Sequence, residues 1–136
     1  MPEGVGYGPQ DTASVGKTLN IIGTRCYAYS GVIADASSGS ADTILVKFSS
    51  GNYVAAVECF VATNDAGDSD RYFEVNMNGI TVFATKYDAV PVKAEAGGPL
   101  VAFVIPPYTE FEFKWGASGN FNCTLSLVGR IHGKID

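Results

Sequence analysis

Helical periodicity is missing from this chain: no apolar pattern at i, i+3, i+4 lasts longer than a turn. That argues against helical bundles and against the α/β folds, whose cofactor crevices lie where strands give way to helices. Histidine is nearly missing, since His132 is the only one, and no C-x-x-C occurs, so a structural zinc site is not expected. No P-loop, no G-x-S-x-G elbow and no G-x-G-x-x-G ahead of a helix is present, and no cofactor is expected. Charge is sparse. Lys and Arg total 9 against 14 Asp and Glu, and charged residues make up 17% where an ordinary soluble domain has about 25%. With the net charge at −5 and the basic residues scattered, nucleic acid is not an expected partner, because phosphate backbones are bound by clustered Lys and Arg. The apolar run 100–105 is too short to span a bilayer, and residues 1–17 have no apolar core of the signal-peptide kind. A chain made in a cytoplasm, without a membrane partner, is the expectation.

Cysteine is present three times, as Cys26, Cys59 and Cys123, and an odd number cannot all pair within the chain. Each lies in an expected strand at a position compatible with the core. Buried, reduced thiols are therefore expected, with one disulfide and a spare thiol as the alternative.

Strict alternation is what the chain has in quantity. In 110–115 the aromatics Phe111, Phe113 and Trp115 fall on one face and Glu110, Glu112 and Lys114 on the other. In 121–131, Phe121, Cys123, Leu125, Leu127 and Ile131 oppose Asn122, Thr124, Ser126 and Arg130, and His132 continues the polar face. A period of two marks a half-buried antiparallel strand. Further strands are expected at 19–22, 25–34, 43–49, 53–62, 71–77, 80–86 and 99–105, separated by turn-forming stretches at 37–40, 49–52, 64–70, 78–79, 97–98, 106–107 and 116–120. Asn78-Gly79 is the strongest hairpin signal, because a type I′ turn needs positive φ at both central residues. Eight or nine short strands in 136 residues predict an all-β fold, an antiparallel β-sandwich in one domain over 18–136, most simply a single jelly roll. Residues 1–17, rich in Gly, Pro, Ser and Thr, read as an extended N-terminal arm that is either a frayed end or an element docked on a neighbour.

Strand 53–62 has two apolar faces. Tyr53, Ala55, Val57, Cys59 and Val61 form one; Val54, Ala56 and Phe60 make the other apolar as well, with Glu58 the only charge, and Leu45 and Phe83 likewise break the polar-out rule. The outer face of a two-layer sandwich is normally wet. Either the arm or a loop covers this face, or a subunit does, which makes Val54, Ala56 and Phe60 interface candidates. Arg130, His132 and Lys134, at alternate positions, form a short basic stripe suited to an acidic partner surface and complete that set.

Catalysis finds little. His132 has no Cys or Ser placed beside it by sequence. Glu110 and Glu112 have a spacing that suits paired carboxylates, but beside Lys114 they read as a solvated strand surface. Residues 64–70 collect oxygen ligands without the EF-hand spacing and read as a turn. Asn122-Cys123-Thr124 matches the glycosylation sequon, in mid-strand. Tyr27, Tyr29, Tyr53, Tyr72, Tyr87, Tyr108 and Trp115 can stack on sugars, but alternation places most of them in strand cores, so no localised platform is expected.

Two sets of motifs resemble a known group. Leu19-Asn20-Ile21-Ile22-Gly23 with Tyr27-Ala28-Tyr29-Ser30-Gly31-Val32, and Ile105-Pro106-Pro107-Tyr108-Thr109 with Leu125 through Gly133, resemble small structural proteins of marine tailed bacteriophages. His132 stands where that pattern has Tyr. The resemblance implies a jelly-roll virion protein without enzymatic activity, made in the host cytoplasm. It implies decoration or cementing of the capsid as a homo-oligomer, a trimer by preference, with the major capsid protein or other virion proteins as partners. A tail or fibre module recognising a host surface glycan is the first alternative, with loops 35–42 and 63–70 as its contact candidates. A small carbohydrate-binding or glycan-active domain is the second.

Overall fold

The computed structural model describes residues 16–34, 41–63, 70–87, 99–117 and 122–134. The expected turns at 37–40, 64–69, 97–98 and 118–120, the core assignment of Phe121 and residues 1–15 of the arm lie outside that range. The described chain is all-β. Its strands are β1 (Asn20–Ile22), β2 (Arg25–Tyr29), β3 (Ile33–Ala34), β4 (Thr43–Ser49), β5 (Tyr53–Thr63), β6 (Arg71–Met77), β7 (Ile80–Tyr87), β8 (Val101–Ile105), β9 (Glu110–Ala117) and β10 (Asn122–Lys134).

They form two antiparallel sheets. One has the order β1-β2-β10-β5-β8, with β3 also on β10; the other has the order β4-β9-β6-β7. Four of the pairings are nested: β6 with β7, β5 with β8, β4 with β9 and β2 with β10. The chain is thus one long antiparallel ribbon, doubled back at Asn78-Gly79 and folded over itself. Both turn residues have the positive φ that a type I′ turn requires, 53° and 82°. Asn78 also ties the turn to β9: its N–H donates to Glu110 O at 2.9 Å and its Oδ1 accepts from Glu110 N at 2.8 Å.

The sheets pack face to face as a sandwich over one core with a division of labour. The four-stranded sheet supplies large rings, Phe48, Phe73, Phe111, Phe113 and Trp115, while the six-stranded sheet supplies small and aliphatic side chains, Cys26, Ala28, Ala55, Val57, Cys59, Ile105, Cys123, Leu125 and Leu127. Large facing small lets the layers interdigitate at interior density. Phe103 on β8 meets Phe83 and Phe111 edge-on at 6.1 and 5.9 Å, closing the core between the sheets.

Four departures from simple alternation come from bulges. The expected strand 25–34 is broken because Ser30 Oγ accepts from Leu125 N at 2.9 Å and donates to Gly31 O at 2.6 Å, and Gly31 turns at φ 72°, so that β3 rejoins β10 one residue out of step. Leu45 is the extra residue where β4 slips against β9 between Ile44 and Val46, and it is buried. Phe83 lies opposite core Val75 because β7 carries an extra residue at Val82, so it points inward and is no break in the pattern. The last bulge, at Gly133 (φ 52°), sets Lys134 opposite Tyr53, which shares the parity of core residue Ala55, so Lys134 does not continue the register of Arg130 and His132. Arg130 and His132 keep the alternating register of the expected basic stripe up to that bulge.

Edge and corner are also tied. Gly16 O accepts Lys47 N at 2.7 Å on the free edge of β4, which shields that edge from pairing elsewhere. Buried Ser50 links the β4–β5 and β8–β9 corners, its Oγ donating to Pro106 O at 2.7 Å and accepting from Thr109 N at 3.0 Å.

Candidate docking face

The outer surfaces of the two sheets differ in kind. On the four-stranded sheet three lysines each have a mate: Lys47 lies between Glu110 (3.8 Å) and Glu112 (3.9 Å), Lys114 meets Glu74 (3.4 Å) and Lys86 meets Asp70 (3.5 Å). Asn76 and Thr81 add side-chain hydrogen bonds to Glu112 and Glu74. This is a solvated surface satisfied within itself, as expected of Glu110, Glu112 and Lys114.

On the six-stranded sheet, register places side chains in rows across five strands. One row runs Ile22, Arg25, Arg130, Ala56, Val104; the next runs Asn20, Tyr27, Val128, Glu58, Ala102; a third runs Tyr29, Ser126, Phe60. His132 opposes Val54 beyond the first row. Of the six interface candidates the structure therefore brings five, Val54, Ala56, Phe60, Arg130 and His132, to one face. Val54, Ala56 and Phe60 are half-buried by their neighbours on β10 and β8, so part of the apolar second face of β5 is covered within the chain. Ile22, Val104 and Tyr29 are exposed at 67%, 64% and 50%.

An open groove of about 890 Å³ crosses these rows. Tyr27, Tyr29, Arg25, Glu58, Arg130 and His132 stand along it between apolar walls of Ile22, Ala56, Ala102, Val104 and Val128. Its floor includes Gly129, whose missing side chain lets β10 lie close to β5: a Cβ there would run into the Ala56 carbonyl and stand 2.7 Å from Val57 Cα. Tyr27 and Tyr29 form a tilted ring pair with centroids 5.0 Å apart. They are on the outer face, with Cys26 and Ala28 inward, so a localised aromatic platform exists where none was expected. Among the described residues no carboxylate lies within 4 Å of Arg25 or Arg130.

Comparison with known proteins gives no match. No family model, no curated protein and no solved structure matches the chain. The face has to be read from its own chemistry.

The face carries rings for stacking, two guanidinium groups, one carboxylate and one imidazole on one sheet. Among the described residues no three His, Cys, Asp or Glu side chains form a group able to hold a metal, and no helix is long and apolar enough to cross a membrane. The three cysteines are buried and unpaired, and burial pushes the thiols of Cys26 up to about 11 and of Cys59 and Cys123 up to about 12. They are packing groups. Arg25, Tyr27 and Tyr29 were not singled out from sequence as one site with Arg130. Their alternation is visible, Arg25-x-Tyr27-x-Tyr29, but the pairing of β2 with β10 that assembles them is not local.

Proposed function

We propose that the chain is a jelly-roll domain without enzymatic activity that serves as a virion protein and works through the outer face of its six-stranded sheet. The nested pairing supports the jelly roll: β2-β10-β5-β8 facing β4-β9-β6-β7 is the order produced when one long hairpin is rolled into two four-stranded layers. The virion role is supported by the resemblance of the β1–β2 and β8–β10 motifs to phage structural proteins.

Between the readings of that role, the middle of the face favours a tail or fibre module that takes a host surface glycan. Interface cores between obligate subunits are depleted of Glu, Asp and Lys, whereas this groove holds Glu58 beside Arg25, Arg130 and His132. The Tyr27–Tyr29 platform is the observation that carries the reading, since sugars dock their apolar faces on exposed rings. Screening of the intact protein against immobilised polysaccharides tests it. Binding lost in Tyr29→Ala supports the reading, and an absence of binding to any glycan removes it.

Capsid decoration as a homo-oligomer, with a trimer preferred, is the second reading. It is favoured by exposed Ile22 and Val104 and half-buried Val54, Ala56 and Phe60 on the same face. Copy number in purified particles separates the two, because a decoration protein is present in far greater number than a tail module.

A further inference from the structure

We propose that the groove takes an acidic polysaccharide of uronate units, with Arg25 and Arg130 jointly holding the carboxylate of a ring that lies on Tyr27 and Tyr29. This rests on the glycan reading and adds the charge class of the ligand and the residues that read it.

The arginine pair is the starting point. Ile131 N donates to Thr24 O and Ser30 N to Leu125 O, which makes 24/131 and 30/125 hydrogen-bonded pairs of the β2–β10 ladder. Alternate pairs are then non-hydrogen-bonded, and 25/130, 27/128 and 29/126 are of that closer type. Arg25 and Arg130 therefore rise from Cβ atoms about 5 Å apart on one face. Like charges directly opposite each other destabilise a sheet, and among the described residues neither arginine makes an ion pair, Glu58 standing one row away on the same face. Lys47, Lys86 and Lys114 on the other sheet each have a carboxylate. Two guanidinium groups borne on directly opposed residues, neither in an ion pair among the described residues, fit one external carboxylate held by forked hydrogen bonds.

The neighbouring row supplies the rest. Tyr27 lies one row from Arg25 on the same strand, and rows on one face are about 7 Å apart, so a ring on the tyrosines presents a substituent to the arginines. Glu58, in the Tyr27 row, accepts hydrogen bonds from sugar hydroxyls and repels a second anionic group. That disfavours densely sulfated chains and favours one acid group per ring. The net charge of −5 works against non-specific attraction of polyanions, so binding has to come from this site.

The test is isothermal titration of the full chain with oligogalacturonate, neutral dextran oligosaccharide and dextran sulfate. Oligogalacturonate is expected to bind best, more weakly as salt rises. Arg25→Gln and Arg130→Gln should each weaken it about tenfold or more, as loss of a charged hydrogen bond does. Tyr29→Ala should also weaken it, and Lys47→Gln on the other sheet should leave it unchanged. Arg130→Gln should keep or raise Tm, because it relieves the like-charge pair, and this separates lost binding from lost folding. Neutral dextran binding as well as galacturonate, with the arginine variants unaffected, would overturn the acidic class and leave the glycan reading standing. Tighter binding of dextran sulfate would overturn the uronate assignment. If none of the three binds, the uronate assignment falls, and the polysaccharide screen decides the glycan reading separately.

Discussion

Leu125 and Thr124 are neighbours on β10 with opposite fates. Leu125 is 1% exposed in the shared core, while Thr124 faces outward with its hydroxyl 3.5 Å from Ala62 O. Leu125→Ala should cost about 2 to 5 kcal/mol, as large-to-small core changes do, and Thr124→Ala should be close to neutral by denaturant melting. Equal losses would mean the register is wrong. The cysteines give a pH signature. Their thiols are raised from 9.0 to about 11 or 12 by burial, so the folded state keeps protons that the unfolded state loses. The stabilisation is complete below pH 9 and is lost as pH climbs through about 12. Folded protein should resist alkylation at neutral pH and yield three thiols after denaturation. Cys59→Ala should flatten the alkaline loss of stability, and an unchanged alkaline slope in that variant would contradict the burial.

Among the elements, the Asn78-Gly79 turn carries the heaviest demand. A Cβ on Gly79 meets no atom within 4 Å, but its φ of 82° is left-handed. Gly79→Ala should therefore cost about 1 to 2 kcal/mol from backbone alone, seen as a lower denaturant midpoint with an unchanged m-value. The turn was legible in sequence because its signal is confined to two residues, and so were the strands: each of the nine expected ones is present, one of them divided at Ser30. What alternation could not show is where a neighbouring strand forces an extra residue. Leu45, Val82 and Gly133 became bulges through their partners, and the last of them shifts the register between His132 and Lys134. The docking face divides along the same line. Val54, Ala56 and Phe60 were legible because one strand with two apolar sides is a local anomaly. Arg25, Tyr27 and Tyr29 joined Arg130 only through the β2–β10 pairing, which brings together Ser30 and Leu125 from 95 residues apart.

For the whole molecule, sedimentation separates a ligand-binding outer face of the six-stranded sheet from one that meets a copy of itself. Under the glycan reading the protein should sediment as a monomer at micromolar concentration, and Phe60→Asp should leave it folded. Under the oligomer reading it should sediment as a stable assembly that Phe60→Asp dissolves, since a carboxylate buried against an apolar partner costs several kcal/mol in each subunit. Truncation belongs at residue 15, because Gly16 is bonded to Lys47 and Leu19 is buried. Loss of residues 1–15 should leave Tm nearly unchanged and, if the arm docks on the particle, weaken attachment.

The nesting of the strand pairs bears on the route to the native state. Thr81 and Asn76, hydrogen-bonded across the β6–β7 hairpin, are only five residues apart, so that hairpin closes at small entropic cost. Once it exists, β5 and β8 are brought near each other, then β4 and β9, then β2 and β10, and each step closes a shorter effective loop than the bare chain would require. Assembly should therefore proceed like a zip, from the Asn78-Gly79 apex toward β2 and β10. Substitutions near the apex, such as Val75→Ala, should slow refolding nearly in proportion to the stability they remove, whereas Leu127→Ala should act mainly by speeding unfolding. The strand that makes the groove's arginine pair would then be set last, after the rest of the ribbon has already chosen its layers.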